Sequence, residues 1–273
     1  MNDLLLPSPF LRFLVEGYWQ RRSVYKEEKN VRVLADACSK IIFELVPMPW
    51  PSSYVIATQL APIIVTLSGK TDRLGIRFKP GMAGFFLGRP LGELQGGMTR
   101  LEDLGICNQA LAKRLRAAGD LVKRGALLDA WLTDLWTASQ PDETEVDETA
   151  SLGKALLRGC SPGQLADLMG WSERRLQRIC RQRFGASAAN LHRLHRFEAL
   201  QRRLAGAPTE LAALAAEIGF ADQAHMAREF RHFAGCTIST YVRERAAVGN
   251  IQDSGGWLPV LRRAEESGEW SDV

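Results

Sequence analysis

The chain has 273 residues, 46% of them hydrophobic and 24% charged, the profile of a globular protein with one large or two ordinary domains. Its net charge of +4 is unevenly spread: residues 1–150 balance to zero, residues 151–247 carry +7 and the remainder −3. It has no run of eighteen apolar residues, and its start, MNDLLLPSPFLRFLVEGYWQ, lacks a basic region and a small-residue cleavage site, so neither a membrane span nor a secretory leader is expected, and a cytoplasmic location is.

Short segments rich in Val, Ile, Phe and Tyr and punctuated by Pro and Gly, at 31–46, 54–67 and 72–81, predict strands of a small β sandwich or barrel. From Gly84 the apolar spacing turns helical. Residues 108–119 and 124–136 place Leu111, Leu115, Leu127, Leu128, Trp131, Leu132 and Leu135 at buried helical positions. Leu111, Leu115 and Trp131 suit an internal core or a dimer surface. GRPLGELQGG (88–97) lacks the strand-turn-helix setting of a phosphate cradle and reads as a loop. The acidic, aperiodic SQPDETEVDE (139–148) reads as a solvated linker closing a first domain, 1–138, that serves regulation, effector binding or dimerisation.

Residues 149–247 predict an all-α second domain. Ser161, Pro162 and Gln164 form a capping-box start and Gly170 a stop. SERRLQRICRQRFG (172–185) follows, with five arginines opposite Leu176, Ile179, Cys180 and Phe184. Two helices about a short turn are the sequence form of a helix-turn-helix. The pattern recurs: LADLMGWSE (165–173) aligns without a gap on LAAEIGFAD (214–222), and Gly185 falls opposite Gly235, so the chain carries two copies of one unit. Residues 187–206 supply a connecting helix of about 30 Å. The fold class expected is α+β: a sheet domain followed by helices, then two helix-turn-helix units on a long helix. The tail, 248–273, has no clear periodicity.

In such units the second helix enters the major groove. Arg174, Arg175, Gln177, Arg178 and Arg181 lie opposite the apolar stripe of the first copy, and Gln223, Ala224, His225, Arg228 and Arg231 opposite that of the second. Arginine bonds guanine bidentately and glutamine adenine, so these side chains suit base readout, with phosphate contact as the commoner fate of any one Arg. Catalytic motifs are missing, and all four histidines lie beyond residue 190. The first half therefore has no imidazole for a metal, and Asp36, Glu44 and Asp72 read as isolated carboxylates. His192 and His195, flanked by Leu191 and Leu194, read as packing residues. Five dispersed cysteines, Cys38, Cys107, Cys160, Cys180 and Cys236, argue against disulfides and zinc and for buried thiols. Phe13, Tyr18, Trp19, Phe43, Trp50, Tyr54 and Phe78 read as core, with a ligand cavity as the alternative. No metal or cofactor and no enzymatic activity is expected.

Residues 214–245 with their upstream copy resemble the double helix-turn-helix domain of AraC-type transcription regulators at Ala215, Gly219, Phe220, Asp222, Gln223, His225, Arg228, Phe230, Gly235, Thr237 and Tyr241. Met226 stands where Phe is usual, and Ile238 where Pro is usual, which leaves the start of the last helix less defined. The first half, through VLADACSKIIFEL and GIRFKPGMAGFFLGRPLGEL, is similar to the barrel domain of some of these regulators, with Ala35 and Ala37 replacing a Pro and a Gly. The resemblance implies a sequence-specific regulator whose partner is double-stranded DNA, with RNA polymerase, a small-molecule effector and a second copy of the chain as further partners. A sequence-blind protein- or RNA-interaction module and a bifunctional DNA-binding enzyme are the alternatives.

Overall fold

The computed structural model describes residues 2–47, 52–94, 97–106, 109–205, 210–246 and 251–252. Trp50, Cys107 and the tail from 253 lie outside the described residues. The chain packs as two compact units: Met1–Glu28, Ala37–Gln59 and Ser68–His192 form the first, and Lys29–Asp36, Leu60–Leu67 and the described part of Arg193–Val273 the second.

Strands β1 (Asn2–Leu5), β2 (Val15–Val33), β3 (Lys40–Glu44), β4 (Ser53–Ile56), β5 (Ile63–Phe78) and β6 (Met98–Arg100) are ordered β1-β2-β5-β3-β4-β6 in one sheet, of which only the last residues of β2 and the first of β5 fall in the second unit. β3 is antiparallel to both β4 and β5, with Ile42 opposite Tyr54 and Gly75. The strand-like segments read from sequence begin at 31, whereas β2 also spans the charge-rich QRRSVYKEEKN. There β2 is partly exposed on both faces, so polar side chains cost nothing.

Strand alternation divides the first unit's side chains. One set, with Tyr18, Ile41, Phe43, Leu74, Ile76 and Phe78, forms the main core with helices α1 (Ala83–Leu87), α2 (Gln109–Ala117) and α3 (Leu121–Ser139). Leu111 and Leu115 are buried there, and Trp131 meets Phe43 edge-on at 5.7 Å, so these residues are internal core. The other set carries Ile42, Tyr54, Ile56 and Trp19 beside buried charges. Arg73 pairs with Glu44 at 3.0 Å and Arg77 with Glu16. Asp72 accepts from Gln20 and pairs with Arg22 and Arg124. Glu44 and Asp72 are thus not isolated, and Asp36 is itself buried; long-range strand pairing supplies the partners that buried carboxylates require. Burial and the Glu44 carboxylate push the Tyr54 hydroxyl well above the usual phenol range.

The expected linker is a correction. Helix α4 (Glu143–Leu157) starts inside it, capped by Asp142, whose carboxylate accepts from the Glu145 N–H. Val146 joins the main core and Thr149 is fully buried. The acidic residues mark a helix N-terminus, where the peptide dipoles favour negative charge, and Val146 with Thr149, Leu152 and Leu156 docks the helix. Helices α5 (Pro162–Met169), α6 (Glu173–Phe184) and α7 (Ala188–Leu204) follow, then α8 (Leu211–Ile218), α9 (Gln223–Ala234) and α10 (Ile238–Ala246). α10 starts without a proline because the Thr237 Oγ1 accepts from the Thr240 N–H at 3.2 Å. Among the described residues no helix is long and apolar enough to cross a membrane.

A Cβ on Gly75 would lie 2.1 Å from the Trp19 ring. Gly75→Ala is therefore expected to lower stability by about 1–3 kcal/mol through overpacking, read as a reduced urea midpoint at unchanged slope.

Candidate nucleic-acid interface

Each helix-turn-helix is built by the same local chemistry. In the first unit α5 starts on the Ser161–Gln164 capping box and ends at Gly170, which adopts the left-handed conformation at φ 62°. The Trp171 N–H then donates to the Ala166 carbonyl at 2.9 Å, and the Ser172 hydroxyl caps α6 by accepting from the Arg175 N–H. In the second unit the Phe220 N–H donates to the Ala215 carbonyl at 2.9 Å after Gly219, at φ 83°, and Asp222 caps α9 through the His225 N–H. Only glycine takes the left-handed turn without cost. The aromatic residue after it and the capping oxygen two residues after it in the first copy and three in the second fix the entry of the second helix.

The inner faces are fully packed. Leu176, Ile179, Cys180 and Phe184 of α6 are buried. Met226 is buried on α9 with Phe230, Phe233 and Ala234, so the thioether occupies the apolar site of the usual Phe. Phe197 of α7 meets Phe230 and Phe233, each at 5.4 Å, and Phe230 meets Tyr241 at 5.2 Å. Burial pushes the Cys180 thiol up to about 12.

The outer faces hold the residues expected to meet DNA. Arg174, Arg175, Arg178 and Arg181 are exposed and Gln177 half-buried; with Ser172 and Gln182 they line an open concavity of about 810 Å³. On α9, Gln223, Ala224, Arg228 and Arg231 are exposed and His225 is half-buried. The members of each set thus share one helix face, but they are not equally held. The Arg175 guanidinium stacks on Trp171 at 4.6 Å and pairs with Glu148 of α4 at 2.8 Å. His225 accepts from the Ala221 N–H through Nδ1 and sits edge-on to Phe220. Arg178 has only a 3.5 Å contact to Gln182.

Sequence reading misses the residues that steady these helices. Arg183 bonds Glu145, Glu148 and Thr149 of α4. Arg193 of α7 forms a bidentate pair with Glu229 of α9 at 2.8 and 2.9 Å, which holds the Glu229 carboxyl below its usual range. Arg196 stacks on Phe220 at 5.2 Å. The five acidic residues between 142 and 148 were the available signal for the first of these, since Glu145 and Glu148 face arginines of α6. His192 contacts the Cys160 carbonyl at 3.2 Å, a packing role. No group of metal-ligating side chains occurs among the described residues.

Residues 165–244 match the family described as helix-turn-helix domain, and residues 4–99 match a domain of unknown function, DUF6597. No curated protein matches the chain. Among solved structures, an AraC-type DNA-binding domain-containing transcriptional regulator from Chromobacterium violaceum is 17% identical, over 40% of this chain and 100% of that one, at a TM-score of 0.36. ToxT from Vibrio cholerae is 11% identical, over 82% of this chain and 97% of that one, at 0.45. A structure of wild-type ToxT bound to an unsaturated fatty acid is 11% identical, over 82% and 94%, at 0.42. The domain match and the paired capped helices agree that residues 165–244 form a helix-turn-helix domain.

Cys180, protonated and buried beneath α6, is expected to resist iodoacetamide at pH 8 in the native protein and to react once the chain is unfolded, because the thiolate is the nucleophile. Mass-spectrometric mapping of alkylated peptides with and without denaturant checks this.

Proposed function

We propose that the two helix-turn-helix units read successive major-groove segments of one operator and that the sheet domain modulates this binding. The observation that carries the reading is the repeated geometry of α6 and α9: each is capped at its start, buried along one face and cationic along the other. A helix of that kind presents its early outward residues to base edges while the remaining cations meet phosphates. The +7 charge of residues 151–247 supplies the sequence-independent attraction to the polyanion.

On this reading Arg174, Gln177, Arg178 and Arg181 serve the first half-site, and Gln223, Ala224, Arg228 and Arg231 the second. Arg175 and His225 belong to the same sets, Arg175 with its Nη2 already on Glu148 and His225 with its Nδ1 on the Ala221 amide, and each keeps further nitrogens for DNA. Residues 149–247 form the DNA-binding part and 1–138 the regulatory part, which responds to a small molecule or to a second copy of the chain. RNA polymerase is the partner that a bound regulator would recruit or obstruct. The function is regulatory and not catalytic.

Selection from a random duplex pool near physiological salt is expected to enrich one bipartite motif. Arg178→Ala and Arg228→Ala should each cost about 1–3 kcal/mol and relax a different half. Equal weakening on all duplexes, with only a change in salt slope, would instead assign these arginines to phosphate contacts or to a protein or RNA partner.

A further inference from the structure

A guanidinium pairs bidentately with guanine only when two of its N–H groups lie parallel and aimed, and a free arginine gives up much side-chain freedom to reach that state. Arg175, the third residue of α6, is already aimed. Its guanidinium stacks on the Trp171 indole at 4.6 Å, and its Nη2 donates to Glu148 Oε1 at 2.8 Å. The other oxygen of that carboxylate, Oε2, accepts from Arg183 Nη1 at 3.2 Å. Glu148 of α4 therefore bridges two arginines of one helix, and turning it breaks both bonds.

The two arginines differ in what the bridge leaves them. Arg183 has its fork fully occupied: Nη1 also donates to the Glu145 carbonyl and to Thr149 Oγ1, and Nη2 pairs with the Glu145 carboxylate. Its side chain is only 12% exposed. The Arg193–Glu229 pair likewise occupies Nε and Nη2 together. Arg175 gives Glu148 a hydrogen of Nη2 alone, and its side chain is 46% exposed. Whichever Nη2 hydrogen the carboxylate takes, the other lies parallel to an N–H of Nε or of Nη1, so one bidentate edge stays open. Arg175 also belongs to the first turn of the second helix of its unit, among the early residues that meet base edges.

We infer that Glu148 is a positioning residue for base readout: together with Trp171 it holds Arg175 as a preset fork for one guanine of the first half-site, without itself touching DNA. The residues involved lie between 148 and 183, within one compact unit. The bridge has opposite effects on affinity and on choice. A carboxylate beside the groove repels phosphate on every duplex, whereas the aimed fork favours only the duplex that offers guanine at the right place. Removing it therefore lowers discrimination without lowering general binding. The inference rests on the DNA-reading proposal above.

The test uses the full chain with its selected duplex, every single-base-pair variant of the first half-site, and an unrelated duplex, all at one salt concentration. Arg175→Lys keeps the charge and loses the fork, so it identifies the base pair that Arg175 reads. Discrimination there should be on the order of ten-fold or more in the wild type and nearly absent in this variant. Glu148→Ala should reduce it to about three-fold at that base pair alone, with the unrelated duplex bound as well or more tightly. The double variant should match Arg175→Lys. Arg183 keeps Glu145 and Thr149, so Glu148→Ala is expected to fold. Melting temperatures are recorded, and Glu148→Asp, too short to span both guanidinium groups, should show the same local loss. Folded variants at 148 with wild-type discrimination at that base pair overturn the inference. So do variants that weaken every duplex in parallel or lose the melting transition, since Glu148 then serves packing alone. Arg175→Lys without effect at any base pair also overturns it, because Arg175 then meets phosphate. A wild-type protein that selects no bipartite site overturns the DNA-reading proposal itself.

Discussion

A helix that offers several arginines to a polyanion has no reason to fold or to stay in place unless its other face is buried. Electrostatic self-repulsion opposes the helix, and its one apolar stripe must supply the docking energy, with each fully buried large side chain contributing roughly 1.5–3 kcal/mol. Leu176, Ile179, Cys180 and Phe184 do this for α6, and Met226, Phe230 and Phe233 for α9. Everything distinctive about the C-terminal domain serves that burial: the glycine turn that sets the entry, the aromatic residue that follows it, and the serine or aspartate that satisfies the first free amides. Because the stripe is narrow, the outward positions are free of packing constraint and can be given to recognition.

The arginines on and beside those helices divide by what they touch. Arg183 and Arg193 are committed to carboxylates at 2.8–3.2 Å and act as struts. Arg175 is held between an indole ring and Glu148, while Arg174, Arg178 and Arg181 project from an exposed face. An arginine whose whole fork is held by its own protein must give up that pairing before it can meet a phosphate, whereas a solvated one pays mainly for lost side-chain freedom. The acidic start of α4 therefore moderates the positive field of α6 as well as capping its own helix.

The sheet domain solves a different problem. Its inner charges, Glu44 with Arg73 and Glu16 with Arg77, are buried and must be paired, since removing one partner leaves an uncompensated charge costing several kcal/mol. Such pairs demand accurate strand register, and the register of β3 on β5, with Glu44 opposite Arg73, provides it.

Local chemistry made much of this legible in the sequence. Helical spacing, capping residues and left-handed glycines act within a few residues, so α5, α6, α8 and α9 and the apolar stripe of each reader could be read directly, and the repeat at an offset of 49 residues tied the two units together. The helical character of 143–148 was hidden because a single Val146 docks it, and β2 was hidden because its charged middle is exposed on both faces. Which carboxylate meets which arginine, that Gly92 touches the backbone of α6, and that Pro62 and Arg32 reach α9 and α10 were decided by tertiary structure alone. Those partners are tens to hundreds of residues apart, and pairing at that distance depends on strand register and helix docking, which no local pattern encodes.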